Sequence, residues 1–238
     1  MSHKDVEIKY LGHGTFLFCS VAGSNVLVDP WVKGNPSCPV EDKNISSLDL
    51  MLITHGHFDH ISDAVELAER HEPQVACIFE LGQWLESKGV VNISAMNKGG
   101  SIQHKDIGVT MVDARHSSGF VEDGQIVYMG EAAGFVIEFE NGFRIYHAGD
   151  TAVFGDMKLI GELYQPDLAI LPIGDVFTMG PKEAAMAVEL LGVSKIIPGH
   201  FATFPLLTGT PSELRKLLPE TVNLIRMEPG QSISQGEL

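Results

Sequence analysis

Short apolar, β-rich runs recur along the chain, and each stops at a polar residue of a kind that binds metal or acts in catalysis. Val26–Val28 ends at Asp29-Pro30, Leu50–Ile53 at Thr54-His55, and Val109–Val112 leads to Asp113 and His116. Further on, Phe143–Tyr146 runs to His147 and Asp150, Leu168–Leu171 to Gly174-Asp175, and Lys195–Ile197 to Gly199-His200. These runs predict strands. Ligands in α/β sheets collect beyond strand ends, so the termini are expected to share one rim. Helices fall between them. Asp59–Arg70 places Ile61, Ala64, Val65 and Ala68 on one face, Gly180-Pro181 opens a second helix that Gly192 closes, and Thr210-Pro-Ser-Glu213 is the capping-box start of a third. Tyr10–Val28 lacks Asp, Glu, Lys and Arg and is long enough to raise a membrane span, but Gly12, His13, Gly14 and the Gly23-Ser24-Asn25 turn make it a β-hairpin instead. No repeat, low-complexity tract or linker divides the chain, which predicts one domain over residues 1–238.

Composition narrows the function. The 238 residues, 44% of them hydrophobic, suffice for a sizeable core, and the net charge is −15. A protein that lies along nucleic acid or an anionic membrane needs a basic face, so both classes are disfavoured, while a small anionic substrate at a local positive centre is not. Cys19, Cys38 and Cys77 form no C-x-x-C pair and read as buried small hydrophobes in a reducing compartment. Met1–Asp5 lacks the apolar core of a signal peptide, so a cytoplasmic location is expected.

The segment that carries chemistry is Thr54-His55-Gly56-His57-Phe58-Asp59-His60, at a strand-to-helix junction. Random placement would produce H-x-H-x-D-H in a chain of this composition with a probability of roughly 10⁻³. His55 and His57, two apart in an extended segment, project to one side and can chelate a single cation; Asp59 and His60 follow as the chain turns and can address a second position. Four residues cannot complete two sites. His116, Asp150 and His200, at other strand ends, are candidates to complete them, and a carboxylate between two imidazole-bound cations is a natural bridge.

The motif, a later isolated His, the Asp of Ala148-Gly-Asp-Thr151 and a last His resemble, in that order, the metallo-β-lactamase superfamily of dinuclear metal hydrolases. Within it, Tyr10–Phe16 (YLGHGTF), Pro172–Pro181 and His200–Pro205 resemble the small metal-dependent hydrolases related to L-ascorbate-6-phosphate lactonase, and the similarity spans Ile8 to about Leu218. The resemblance implies a four-layer αββα sandwich, two mixed β-sheets flanked by helices. It implies His55, His57 and His116 on one metal, Asp59, His60 and His200 on the other, and Asp150 between them. Zinc and manganese lead as the two divalent ions, and iron also suits imidazole and carboxylate donors. No Cys follows a ligand-bearing strand, which disfavours antibiotic hydrolysis; His57 stands where the flavin-linked diiron members carry Glu, which disfavours redox chemistry.

Two divalent ions facing Asp59, Asp150 and a hydroxide would leave a local surplus of about +1 in an acidic protein. Metals there would lower the pKa of a shared water and stabilise an oxyanion. The leading expectation is therefore a hydrolase of a small ester or lactone, phosphorylated sugar derivatives included. A phosphodiesterase of the same superfamily and a non-catalytic metal or metabolite binder are the rivals. No nucleic-acid or membrane partner is expected, and a homo-oligomer is compatible with the resemblance. Around the centre, His13 is expected either as a substrate contact or proton donor, or as a hairpin cap. His147 reads as a catalytic neighbour or a core residue, and Asp29 as a partner of a motif His or an Asp-Pro turn. Phe177, Thr178 and Met179, with Asp175, read as a substrate-pocket wall or as ordinary packing. Arg115 is expected to point away from the site, and His3, His71 and His104 to lie on the surface.

Overall fold

The computed structural model describes residues 5–238. The chain runs through β1 (Glu7–Gly12), β2 (Thr15–Cys19), β3 (Asn25–Val28), β4 (Leu50–Leu52), helices α1 (Phe58–Ile61) and α2 (Ala64–His71), β5 (Gln74–Ile78), α3 (Phe79–Ser87) and β6 (Ile93–Met96). It continues with β7 (Ser101–His104), β8 (Ile107–Asp113), a separate hairpin of β9 (Gly119–Glu122) and β10 (Gln125–Tyr128), β11 (Ala133–Glu138) and β12 (Arg144–His147). Then follow α4 (Met157–Tyr164), β13 (Leu168–Pro172), α5 (Pro181–Leu191), β14 (Lys195–Gly199), α6 (Pro211–Leu217), β15 (Asn223–Leu224) and β16 (Ser232–Ser234).

Two seven-stranded sheets result, ordered β16-β1-β2-β3-β4-β5-β6 and β15-β14-β13-β12-β11-β8-β7. Each joins an antiparallel half to a parallel half, with the change at β3 in one and at β12 in the other. Strands of the parallel halves are buried on both faces, which is why Val26–Val28, Leu50–Leu52 and Leu168–Leu171 read as unbroken apolar runs. The sheets face each other across a core that holds Phe16 and Phe18 of the first with Phe135 and Ile137 of the second. Leu67, Leu81 and Leu85 of α2 and α3 join that core from the first sheet's outer side, and a second apolar cluster seats Met157, Val188 and Leu214 of α4, α5 and α6 on the other sheet. The expected αββα sandwich is present. No helix among the described residues is long and apolar enough to cross a membrane.

Three details differ from the sequence reading. The expected Asp59–Arg70 helix is broken at Ser62-Asp63, because the buried Asp63 carboxylate turns outward to accept hydrogen bonds from Val32 N (2.6 Å) and Lys33 N (2.9 Å). Tyr10–Val28 forms two successive hairpins through β1, β2 and β3 rather than one, since His13 adopts φ +58° and reverses the chain early. Helices α3 and α4 are additional to the three expected; α3 follows Ile78, which offers no capping side chain, and Asp156 before α4 makes no capping hydrogen bond.

Candidate metal centre

All six strand ends reach the same edge of the sandwich, and the loops that leave them bring two groups of donors together: His55, His57, His116 and Asp150, and His13, Asp59, His60 and His200. In the first, His57 Nδ1 is 3.0 Å from His55 Nε2 and 3.2 Å from His116 Nε2. Those separations are close to the edge of about 3.3 Å that a tetrahedral zinc with bonds of about 2.0–2.1 Å demands. The two groups meet at Asp150. Its Oδ2 lies 3.8 and 3.6 Å from the Nε2 atoms of His55 and His116, and 3.4 and 3.1 Å from those of His60 and His200.

Neighbouring residues dictate which nitrogen each ring offers. Asp29, buried at the end of β3, accepts from Thr54 N through Oδ1, and from Thr54 Oγ1 and His60 Nδ1 through Oδ2, each at 2.8 Å. The Thr54 hydroxyl, donating to Asp29, accepts from His55 Nδ1 at 2.9 Å. Both rings therefore keep Nε2 free toward the centre. His57 is reversed: its Nε2 meets Ser117 Oγ at 3.2 Å and its Nδ1 faces inward. His60 Nε2 and both nitrogens of His200 are buried without a hydrogen-bond partner. Buried polar atoms are rarely left so, and a cation at this point would supply the missing partner of the His60 and His200 Nε2 atoms. The donor set thus fits two divalent ions.

Close packing brings the loops this near. Gly149 has φ +61°, and a Cβ there would stand 2.8 Å from Thr54 Cβ and 2.9 Å from Ala133 O; a Cβ on Gly56 would strike Met129 at 2.4 Å. His13, Asp29, Asp175, Val176, His200 and Ala202, all on loops of this rim, also adopt positive φ without being glycine. Such conformations cost about 1–3 kcal/mol each and persist where the surroundings over-determine them, which is common at functional sites.

Electrostatics divides the rings into two kinds. Burial pushes His55 and His57 down and takes His13 and His116 to about 4, so in the metal-free chain these rings are neutral, with lone pairs ready, at neutral pH. Burial would also lower His60, but the carboxylates of Asp150 and Asp29 on either side override it and raise the ring well above the usual range. Against its own burial, Asp150 is held well below the carboxylate range by His200 and His60, and Asp59 is held at about 2 by its hydrogen bond from His13 and by His60.

Residues expected around the centre are sorted by the same geometry. Asp29 takes the orienting role. His13 is fully buried behind Asp59: its neutral ring accepts from Thr203 Oγ1 at Nδ1 (3.0 Å) and donates from Nε2 to Asp59 Oδ2 (2.9 Å), and it is not among the residues that line the cleft. His147 joins neither group. It is buried against Phe16, its Nδ1 accepting from Gly149 N at 3.2 Å, which turns it from a catalytic candidate into support for the Asp150 loop. Thr151 ties that loop to the His116 loop, accepting from Arg115 N at 2.9 Å. Of the expected pocket wall, Phe177 faces a cleft above the rim, Asp175 is exposed, and Thr178 turns its hydroxyl to Met179 O (3.3 Å). Met179 is drawn into the apolar layer under α5, because its N–H donates to Thr151 O at 3.1 Å. Arg115 is paired with Asp113 at 2.9 Å, away from the cleft. His71 and His104 lie elsewhere and bond Ile45 O and Gln74 Oε1; His3 lies outside the described residues. Sequence reasoning missed Thr203 and Ser118, whose Oγ accepts from Gly56 N at 3.0 Å and so anchors the motif loop. Their one signal is adjacency to the His116 and His200 segments.

Fold and rim together define a metal-dependent hydrolase of the metallo-β-lactamase type. Residues 24–201 match the profile described as Beta-lactamase superfamily domain. The chain is 53% identical over 234 residues, 98% of its length and 100% of the relative's, to a UPF0173 metal-dependent hydrolase of Koribacter versatilis, and 45% identical over 230 residues, 95% of its length and 99% of the relative's, to one of Methanopyrus kandleri. Its fold is similar to that of Igni18, a metallo hydrolase from Ignicoccus hospitalis, with a TM-score of 0.85 and 34% identity over 97% of this chain and 98% of that one. The chain belongs to the UPF0173 metal-dependent hydrolases of the beta-lactamase superfamily.

The Asp29 network has a measurable consequence. Asp29→Asn would present an amide donor to His60 Nδ1–H or lose the Thr54 bonds, so metal affinity, read by chelator competition, is expected to fall about ten- to a hundredfold. Unchanged occupancy at matched free zinc would show that Asp29 does not set the ring's orientation for metal.

Proposed function

We propose that this protein hydrolyses a small ester or lactone with two divalent cations held by the two donor groups, zinc or manganese ahead of iron. The observation that carries the reading is the Asp150 carboxylate, whose Oδ2 stands within 3.1–3.8 Å of imidazole nitrogens from both groups, so that one oxygen serves both. His55, His57 and His116 would hold one cation, and Asp59, His60 and His200 the other. Bound there, the cations supply Lewis acidity and a water ionised near neutral pH.

The chain's own residues do the positioning. Asp29 and Thr54 keep the Nε2 atoms of His55 and His60 turned inward. The His13 Nε2–H holds one Asp59 oxygen, which directs the carboxylate's remaining lone pairs toward the rim. A net charge of −15 favours a small substrate over a polyanion, and so over the phosphodiesterase reading.

Elemental mass spectrometry on protein purified without chelator or affinity tag tests this directly. About two equivalents of metal per chain are expected; one equivalent would overturn the paired site, and none, with no uptake of added zinc or manganese, would overturn metal chemistry altogether. Bound metal with no turnover of generic esters, lactones or phosphodiesters would make the protein a metal or metabolite binder.

A further inference from the structure

The rim opens into a cleft of about 1150 Å³, larger than the roughly 300–1,000 Å³ typical of small-ligand pockets. Its floor includes His57, Asp59, His116, Asp150 and His200. Its walls are apolar. Six of the residues that line it are Val121 and Ile126 of the β9–β10 hairpin, Val176 and Phe177 of the loop before α5, and Phe58 and Leu206, with Phe120, Phe204 and Pro205 beside them. All six are among the large apolar residues that the described chain leaves exposed, with Ile126 at 82% and Val121 at 64%. Scattered exposed apolar residues are ordinary, but this concentration over a single polar floor is not.

Two features show that these walls are built. The hairpin belongs to neither sheet and is fastened along its first strand and next to its turn, where Phe120 packs on Trp84 at 5.5 Å and Glu122 pairs with Lys88 at 2.6 Å. Its apolar side chains at 121 and 126 are thereby held over the cleft. Val176 is β-branched yet adopts φ +54°, a conformation such residues rarely take; its N–H donates to Asp175 Oδ1 at 2.7 Å, and Phe177 follows at the cleft wall. No lysine or arginine lines the cleft among the described residues, so a phosphorylated substrate would find no cationic side chain there.

From this we infer that the substrate is a carboxylic ester or lactone whose acyl portion is a medium-length hydrocarbon chain, seated between the hairpin and Phe177 with its carbonyl on the rim. The inference rests on the hydrolase reading of that rim and names the substrate class for it. The reaction balances with water alone: the water oxygen bonds to the acyl carbon, the acyl carbon–oxygen bond breaks, and a water proton passes to the leaving alkoxide, giving an acid and an alcohol from an ester or one hydroxy acid from a lactone. Each methylene buried completely strengthens binding about fourfold, so partial burial of the six added in going from acetyl to octanoyl exceeds tenfold.

The test is kcat/KM of the zinc-loaded enzyme on p-nitrophenyl acetate, butyrate and octanoate. A rise of at least about tenfold from acetate to octanoate is expected. Ile126→Asp and Phe177→Asp should each shrink that ratio at least about fivefold, while Leu163→Ser, on the exposed face of α4 and outside the cleft lining, should leave it unchanged. A flat or falling series would overturn the inference. Binding of neutral N-phenyl-1-naphthylamine, followed by fluorescence, separates the two readings. If the probe binds, octanoate displaces it and Ile126→Asp weakens it while no ester is hydrolysed, the cleft assignment stands and the hydrolase reading falls. A probe that does not bind the wild-type protein overturns the cleft assignment whatever the rim does.

Discussion

Asp150→Asn is expected to reduce metal from two equivalents to one or fewer and to lower kcat/KM by at least about 10³-fold, a loss of about 4 kcal/mol in transition-state stabilisation. The size follows from position. Among the described residues Asp150 Oδ2 is the one carboxylate oxygen within 4 Å of nitrogens in both donor groups, so its loss removes a ligand and the charge common to both. Asparagine has nearly the same shape, and Gly149 and Thr151 hold the loop by contacts that the substitution leaves alone, so circular dichroism should be unchanged. Two metals retained, with turnover within tenfold of wild type, would contradict the shared-ligand role.

Acid should destabilise the metal-free protein well above the range in which carboxylates titrate. His13 and His116 have folded values of about 4, against about 6.5 in an unfolded chain. Between those values the unfolded chain binds more protons, so stability rises with pH across the window and is lost as pH falls from about 6.5 to 4. Each ring accounts for about 3 kcal/mol over the full window, and His55 and His57, also lowered, act with the same sign. His60 does not compensate. Its folded value is raised, so its contribution is complete below 6.5 and is lost only as pH climbs through that folded value. Asp59, at about 2 when folded, extends the acid loss below pH 4. Calorimetry in EDTA should show Tm at pH 4.5 at least about 10 °C below that at pH 6.5. Zinc-loaded protein should resist until protons displace the metal, because bound cations would keep the ligand nitrogens of His55, His57 and His116 unprotonated. A metal-free Tm that stays level to pH 4.5 would mean that the imidazoles are not held neutral by burial.

The metal-binding character of the chain is legible locally because its cause is local. The 55–60 motif needs only alternation along a strand end followed by a turn, and both are written in consecutive residues. The buried parallel strands are equally plain, since burial on two faces leaves unbroken apolar runs that end at the rim. His13 was harder. A histidine between two glycines suits a turn or a site equally well, and its role was decided by Asp59 and Thr203, 46 and 190 positions away. Met179 shows the converse: its segment suits a pocket wall, yet one backbone hydrogen bond to Thr151 sends the side chain into the core.

The sequence by itself therefore determined the α/β character with its shared strand-end rim, the motif and its metal-binding character, because periodicity and ligand spacing are properties of neighbouring residues; the four-layer sandwich followed from the family resemblance. Only the tertiary structure decided that Asp150 stands between two donor groups, that His13 backs Asp59 while His147 joins neither group, and that Phe58, Ile126, Phe177 and Leu206 converge above them. These are distances between segments far apart in the chain, set by how two sheets pack and which loops their edges bring together. An exposed apolar residue bears no local mark of the wall it will join.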